Sequence, residues 1–306
     1  MNLALQILSI LAYLFVFAIG LLLLAIVVMY AVDVTQKRHA IRRNFPVIGR
    51  FRYMFEHLGE FFRQYFFALD REELPFNRAE RAWAYRAAKD IKNTVPFGST
   101  RDMRKPGTVL FVNGPWPVLD RDVAEAQPRT IGPYCRQPYV TKRFFHISAM
   151  SFGALSKPAI QALSAGAAKA GVWLNTGEGG LAPYHLEGGC DIVFQIGTAK
   201  YGVRDDDGRL SDERLREVAA HEVVKMFELK LSQGAKPGKG GMLPAAKVSA
   251  EIARIRGIPE GQASLSPARH PECSSVGELL DMIGHVREVT GKPVGFKAAI
   301  SRFEWI

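Results

Sequence analysis

From Met1 to Val32 the chain carries no charged side chain, and the run L-A-L-Q-I-L-S-I-L-A-Y-L-F-V-F-A-I-G-L-L-L-L-A-I-V-V-M-Y is almost wholly aliphatic and aromatic. About 20 apolar residues suffice to cross a bilayer as a helix, so the pattern predicts a transmembrane helix over 1–32. A cleaved signal peptide calls for a basic leader, a shorter apolar core and a small-residue cleavage site, and the run offers none of these. The stretch from Asn44 to Asp70 is rich in Phe, Tyr and Leu but interrupted by Arg, Glu and His, an amphipathic pattern too charged to span. Two readings stand for it: a helix lying in the membrane interface, or a packing helix that covers the bottom of a barrel. Periodicity is weak from Arg71 to Thr141. Here F-N-R-A-E-R-A-W-A-Y-R-A-A-K predicts a helix beginning after Asn77, T-V-L-F-V over 108–112 a strand, and N-G-P-W-P a turn.

From Phe144 onward the pattern becomes strand, loop, helix, repeated. F-F-H-I-S-A, V-W-L-N-T, D-I-V-F-Q-I, M-F-E-L-K-L and V-G-F-K-A-A-I read as five strands, and Lys157–Ala170 as the first helix between them. Alternating strands and helices point to a parallel sheet. A doubly wound sheet would concentrate its glycine loop after the first strand. Here several strand ends carry glycine-rich or polar motifs, which is the arrangement of a (β/α)8 TIM barrel. The stretch from Phe144 to Ile306 is shorter than the ~250 residues such a barrel needs. The expected fold is therefore α/β, an incomplete barrel with about five of eight strands. The chain is read as C-terminally truncated, with the strand at Val294 to Ile300 left as an exposed edge and the phosphate site of the last strands missing. The expected organisation is a membrane helix over 1–32, a basic and aromatic juxtamembrane segment over 33–70, a lead-in segment over 71–143, and the partial barrel over 144–306.

Charge adds an orientation. Lys37, Arg38, Arg42, Arg43, Arg50 and Arg52 follow the span, opposed only by Asp33. Positive residues beside a span stay on the cytoplasmic side, so the expectation is a single-pass protein with its N-terminus outside and its main domain in the cytoplasm. The formal net charge of +10 partly reflects this cluster, which also favours anionic membrane lipid. No nucleic-acid-binding motif accompanies it, so no nucleic-acid partner is expected.

The chemistry concentrates in K-L-S-Q-G-A-K-P-G-K-G-G-M-L-P-A-A-K, Lys230 to Lys247. A strand precedes it, Gly234, Gly238, Gly240 and Gly241 permit positive φ and close backbone approach, and Pro244 is suited to open the helix that follows. With Lys230, Lys236, Lys239 and Lys247 around the glycines, strand, basic loop and helix N-terminus predict an anion site. The spacing is not that of a P-loop, which argues against a nucleoside triphosphate.

Q-G-A-K-P-G-K-G-G-M-L-P resembles the Q-G-A-K-P-G-x-G-G-Q-L-P loop of the FMN-binding synthase domain of glutamate synthases. The resemblance covers roughly Phe144 to Ile300, and in the lead-in segment F-G-S-T and I-G-P-Y are similar to the family as well. It implies an FMN-dependent oxidoreductase that forms glutamate from an imine derived from 2-oxoglutarate, or acts on a related acid. In that likeness Ser148, Ala149, Met150 and Ser151 lie along the flavin ring, Asn175 and Gln195 contact the cofactor, and Lys297 stabilises the reduced ring's negative charge. Glu178 and Lys230 match catalytic positions, Glu178 able to shuttle a proton. Arg256, Lys236 and Met242 match substrate positions; an Arg fork with a Lys suits a dicarboxylate. Met242 stands where the family usually has Gln, which removes a polar contact to the substrate. Each assignment has a plainer counterpart: Arg256 as a solvated helix end, Glu178 as a helix cap, His270 as a structural loop histidine. An unpaired lysine inside an apolar strand, Lys297, is harder to explain structurally.

Only Cys135, Cys190 and Cys273 occur, far apart, so neither an iron–sulfur cluster nor another metal site is expected. The electron donor is not legible. The alternative to an enzyme is a non-catalytic membrane-anchored binding or scaffold protein, or an inactive gene fragment, that retains the anion loop.

Overall fold

The computed structural model describes residues 3–300 apart from 68, 70, 93–100 and 113, together with 302 and 304. The F-G-S-T segment at 97–100 lies outside the described residues. The chain divides into two compact units, Met1–Pro117 and Val118–Ile306.

The first unit is helical. α1 (Leu3–Thr35) carries the apolar run three residues past Val32; α2 (Ala40–Asn44) and α3 (Ile48–Phe62) follow, the latter continuing into a π-helical turn over Arg63–Phe67. Leu5–Thr35 is long and apolar enough to cross a membrane. α4 (Arg78–Ala88) begins where expected, because Asn77 caps it: the side-chain oxygen accepts from the Glu80 N–H while the Glu80 carboxylate reaches back to the Asn77 N–H. The expected strand T-V-L-F-V does not form. Val109, Phe111 and Val112 are exposed, and a β-prone run forms no strand without a neighbour to take its backbone hydrogen bonds.

In the second unit a short antiparallel pair comes first, β1 (Arg129–Ile131) with β2 (Tyr139–Thr141), joined through the I-G-P-Y turn. Then come β3 (Ile147–Ala149), α5 (Lys157–Ala170), β4 (Leu174–Asn175), α6 (Pro183–Leu186), β5 (Ile192–Ile196), α7 (Asp212–Ala220) and β6 (Val224–Lys230). A second small pair, β7 (Met242–Leu243) with β8 (Ser264–Leu265), flanks α8 (Ala250–Arg256); α9 (Val276–Thr290) and β9 (Val294–Lys297) close the series. All five strands read from the sequence are present and parallel, in the order β3-β4-β5-β6-β9. Sequence order equals spatial order, which is the winding of a curled half-barrel; a doubly wound sheet would reverse direction at a switch point.

Period-2 alternation sorts the sheet's faces. Leu174, Ile192, Phe194, Ile196 and Phe227 turn to one side and are fully buried against Leu215 and Val218 of α7, Val286 of α9 and Ala167 of α5. Phe194 and Phe227, cross-strand partners, pack with ring centroids 5.7 Å apart. The opposite, inner face carries Gln195, Glu228, Lys230 and Lys297, which the register sets beside one another.

Two sequence expectations change here. The loop after β6 runs into β7 rather than into a helix, and Pro244 opens only a 3-10 turn, Ala245–Lys247. The helix proper starts after a break, capped by the Ser249 hydroxyl on the Ile252 N–H. Glu178, in turn, sits in a 3-10 turn, Gly177–Gly179, and caps no following helix.

Candidate active site at the strand ends

Three loops meet at the C-terminal ends of β4, β5 and β6. The Glu178 carboxylate accepts both hydrogen bonds from the Gln233 amide, Nε2 to Oε1 at 2.6 Å and to Oε2 at 2.8 Å. Lys230 Nζ donates to Gln233 Oε1 at 2.9 Å and lies 3.4 Å from Glu178 Oε2. Two glycines make this possible. A Cβ on Gly241 would stand 2.7 Å from Glu178 Oε1, and one on Gly240 would stand 1.6 Å from the Ser266 carbonyl oxygen. The loop's glycines thus serve chiefly close approach between loops, and Gly238 is the one of the four at positive φ.

Beside this triad lies a second knot. Glu228 Oε1 accepts from Asn175 Nδ2 at 2.9 Å and from Gln195 Nε2 at 2.5 Å, and Asn175 Oδ1 accepts from the Gly177 N–H. A carboxylate only accepts, so it fixes the Gln195 amide with its oxygen pointing away. That Oε1 is buried without a partner. Neither Glu228 nor Gln233 stood out in the sequence reading. The signals were there: Glu228 shares a face with Lys230 in M-F-E-L-K-L, and Gln233 lies inside the quoted loop motif.

Lys230 is tied down a third time. The buried His270 donates Nε2–H to the Lys230 carbonyl at 3.0 Å, which leaves Nδ1 as a bare acceptor without a partner. Burial lowers the His270 pKa from its ordinary value, and that of buried His185 likewise. His185 accepts the Ala182 N–H at Nδ1 and donates from Nε2 to the Met150 carbonyl. It thereby pins the segment Ser148, Ala149, Met150 and Ser151, of which Ser148 is exposed and the others half-buried.

Arg256 is not a solvated helix end. It is 6% exposed at the last turn of α8, its guanidinium 5.1 Å from the Tyr201 ring and 3.3 Å from Ser264 Oγ, with the Phe152 carbonyl at 3.5 Å. Gly153 and Gly179 make room for it. Desolvation pushes its pKa down, with Glu178 and Tyr201 opposing. Lys297, expected deep in an apolar strand, is half-buried at the end of β9, opposite Lys230 in register. Lys236 and Met242 are exposed at opposite ends of the glycine loop, and Lys239 and Lys247 are exposed too. The structure therefore brings together Glu178, Lys230, Asn175, Gln195 and Lys297, sets Arg256 beneath the Glu178 turn, and leaves Lys236 and Met242 on the loop surface. Among the described residues no group of three or more His, Cys, Asp or Glu side chains could hold a metal, and the three cysteines are free.

Residues 118–303 match the model of the conserved region in glutamate synthase. The chain is 39% identical to the glutamate synthase large subunit-like protein YerD of Bacillus subtilis over 94% of its own length and 63% of that protein's. It is 36% identical to a glutamate synthase large subunit-like protein of Rhizobium meliloti (55% of this chain, 36% of the relative). It is 38% identical to an archaeal-type glutamate synthase [NADPH] of Thermotoga maritima (50% and 28%). The chain thus spans less than two thirds of the length of these relatives.

Proposed function

The chain belongs to the glutamate synthase family, and from that premise we propose that Val118–Ile306 forms the FMN-binding part of a (β/α)8-type oxidoreductase acting on a 2-oxoglutarate-derived imine or a related dicarboxylic acid. The observation that carries the reading is the strand-end constellation of Glu178, Gln233, Lys230, Asn175, Glu228 and Gln195, polar groups fixed on one another on the sheet's inner face.

The residues present fit a flavin. Gln195 Oε1 is a buried orphan acceptor, costly to leave unmade, and a flavin ring bears an N–H donor. Ser148 to Ser151 and Asn175 hold the ring's place, and Lys297 supplies the cation that favours the reduced ring's negative charge. Bound FMN would supply the hydride chemistry. This chain's own residues do the rest. Lys230, Arg256 and Lys236 provide cationic partners for two carboxylates, which Lys230 reaches in competition with Glu178. Glu178 is the carboxylate placed to pass on the proton that accompanies reduction, and the Gln233 amide orients it. Met242 gives the loop an apolar end with no hydrogen bond to offer. α1 is the membrane anchor, with the basic segment after it and the second unit on the cytoplasmic side.

The test uses purified full-length protein in detergent. Its absorbance spectrum should show bound flavin, and 2-oxoglutarate should bind and, with ammonium, reoxidise the reduced protein. Lys230→Ala should weaken 2-oxoglutarate binding by about 2–5 kcal/mol, as expected for removing one side of a charged contact. A colourless protein that binds 2-oxoglutarate no differently in parent and variant would overturn the proposal.

A further inference from the structure

α3 packs with the wrong side inward for a soluble helix. At 100° per residue, Phe51, Met54, Phe55, Leu58, Phe61 and Phe62 fall on one arc, and each is between 37% and 62% exposed. The packing contacts lie on the other side. Gly49 is buried, and a Cβ there would stand 3.0 Å from the Ile41 carbonyl oxygen of α2. Tyr53 meets the Arg42 guanidinium at 5.0 Å and the His39 ring edge-on at 6.0 Å. A polar edge turned into the protein and an apolar arc turned out is the reverse of what water selects.

Two further observations say what covers that arc. First, α3 is fastened to the end of α1. Asp33, 1% exposed at the last turn of α1, accepts from Arg50 Nη2 at 2.8 Å and Nε at 2.9 Å, and from the Val47 N–H at 3.0 Å. The turn between the two helices is therefore set by a bidentate ion pair. Second, between Lys37 and Arg63 the sequence carries seven Lys or Arg residues and two Glu, and Glu56 is taken up by Arg52 at 3.0 Å.

We propose that α3 lies in the headgroup layer of an anionic bilayer, with its aromatic arc in the acyl boundary and the basic residues around it, Lys37, Arg38, Arg43, Arg52 and Arg63, on the lipid phosphates. Asp33 and Arg50 then act as the elbow between a spanning and an interfacial helix. The proposal rests on the reading of α1 as a membrane span. A headgroup layer accounts for both the apolar arc and the positive flank, whereas a protein partner would have to match each separately.

The experiment keeps the full chain, with Cys135, Cys190 and Cys273 replaced by Ser and one cysteine introduced at Phe55, His57 or Val16 for an environment-sensitive fluorophore. Phe55 and His57 are both exposed but sit on opposite sides of α3. In nanodiscs containing phosphatidylglycerol, spin-labelled lipid should quench the Phe55 label at least threefold more than the His57 label, and Val16 should be quenched by deep spin labels. Replacing Arg43 and Arg52 by Gln should reduce the Phe55 quenching in anionic discs toward its value in zwitterionic ones. Equal aqueous accessibility at Phe55 and His57 with Val16 in lipid overturns the proposal and leaves the span intact. A Phe55 label shielded from water yet unquenched by lipid overturns it in favour of a protein cover, such as a second copy. A Val16 label outside lipid removes the span and the interfacial helix together.

Discussion

Replacing Glu228 tests whether the inner face is held together by its polar knot. Glu228→Leu removes the acceptor of both Asn175 Nδ2 and Gln195 Nε2, on residues that are 4% and 1% exposed. Each stranded buried donor costs about 1–3 kcal/mol, so the loss should be about 2–6 kcal/mol. Glu228→Gln keeps an oxygen for both donors and loses only the charge assistance, about 1 kcal/mol per bond. Because 1.4 kcal/mol is a factor of ten, native-state hydrogen exchange reads the difference well. In peptides covering β4, β5 and β6 of the full-length protein, the middle of that range, about 4 kcal/mol, should accelerate exchange about 1,000-fold in Glu228→Leu, against about 30-fold for the two weakened bonds of Glu228→Gln. If both variants exchange alike, or Leu is as protected as the parent, the knot does not stabilise the sheet and the reasoning fails.

Lys292 is buried with no acidic partner among the described residues; its ammonium instead donates to the Ala219, His221 and Val224 carbonyls at the end of α7 and the start of β6. Lys292→Met should lower the urea midpoint by an amount worth about 1–3 kcal/mol, and an unchanged midpoint would contradict the pin. Gly240→Ala, whose Cβ meets the Ser266 carbonyl, should disorder the loop after β6, read as new protease cleavage between 230 and 247 with β5 and α7 still protected. His146, His185 and His270 all have pKa values lowered by burial. The unfolded chain therefore takes up their protons first, so their contribution is intact above about pH 6.5 and drains away as the pH falls from there. Melting temperature should drop between pH 7 and 5, and His185→Gln, at whatever cost at pH 7, should make that drop shallower; an equally steep drop would exclude His185 as a source.

The alternation of M-F-E-L-K-L and the short apolar run of D-I-V-F-Q-I, buried on both faces, made the sheet readable. The helix Lys157–Ala170 was readable from its punctuation, with Pro158 in its first turn and Gly171 ending it in the left-handed region. The two antiparallel pairs were not readable. They are two or three residues long, and β7 meets β8 only after an intervening helix. T-V-L-F-V misled for the converse reason, since its propensity was right but no strand pairs with it among the described residues. At the site, sequence named Glu178, Lys230 and Gln195 through the likeness of a whole loop family. It passed over Glu228 and His185, whose roles depend on partners 33 or more residues away. Lys200 belongs with them: it is 2% exposed and paired with Glu272 at 2.8 Å, 72 positions on.

The inner-face charges now have a consistent reading. Glu178 is shared between Lys230 and, at longer range, Arg256, and Glu228 is occupied by two neutral amides. Three cations, Lys230, Arg256 and Lys297, therefore face two carboxylates around the strand ends, and Lys297 forms no ion pair among the described residues. A buried cation is normally paired; Lys297 is half-buried at the C-terminal end of its strand, opposite a second lysine whose charge is already engaged, and under the proposed flavin reading it is the cation left free for the ring. The same geometry explains why the lysine pair tolerates its own repulsion. Lys230 is fixed at its carbonyl by His270 and at its ammonium by Gln233 and Glu178, so it cannot swing toward Lys297, while Lys297 has solvent on one side.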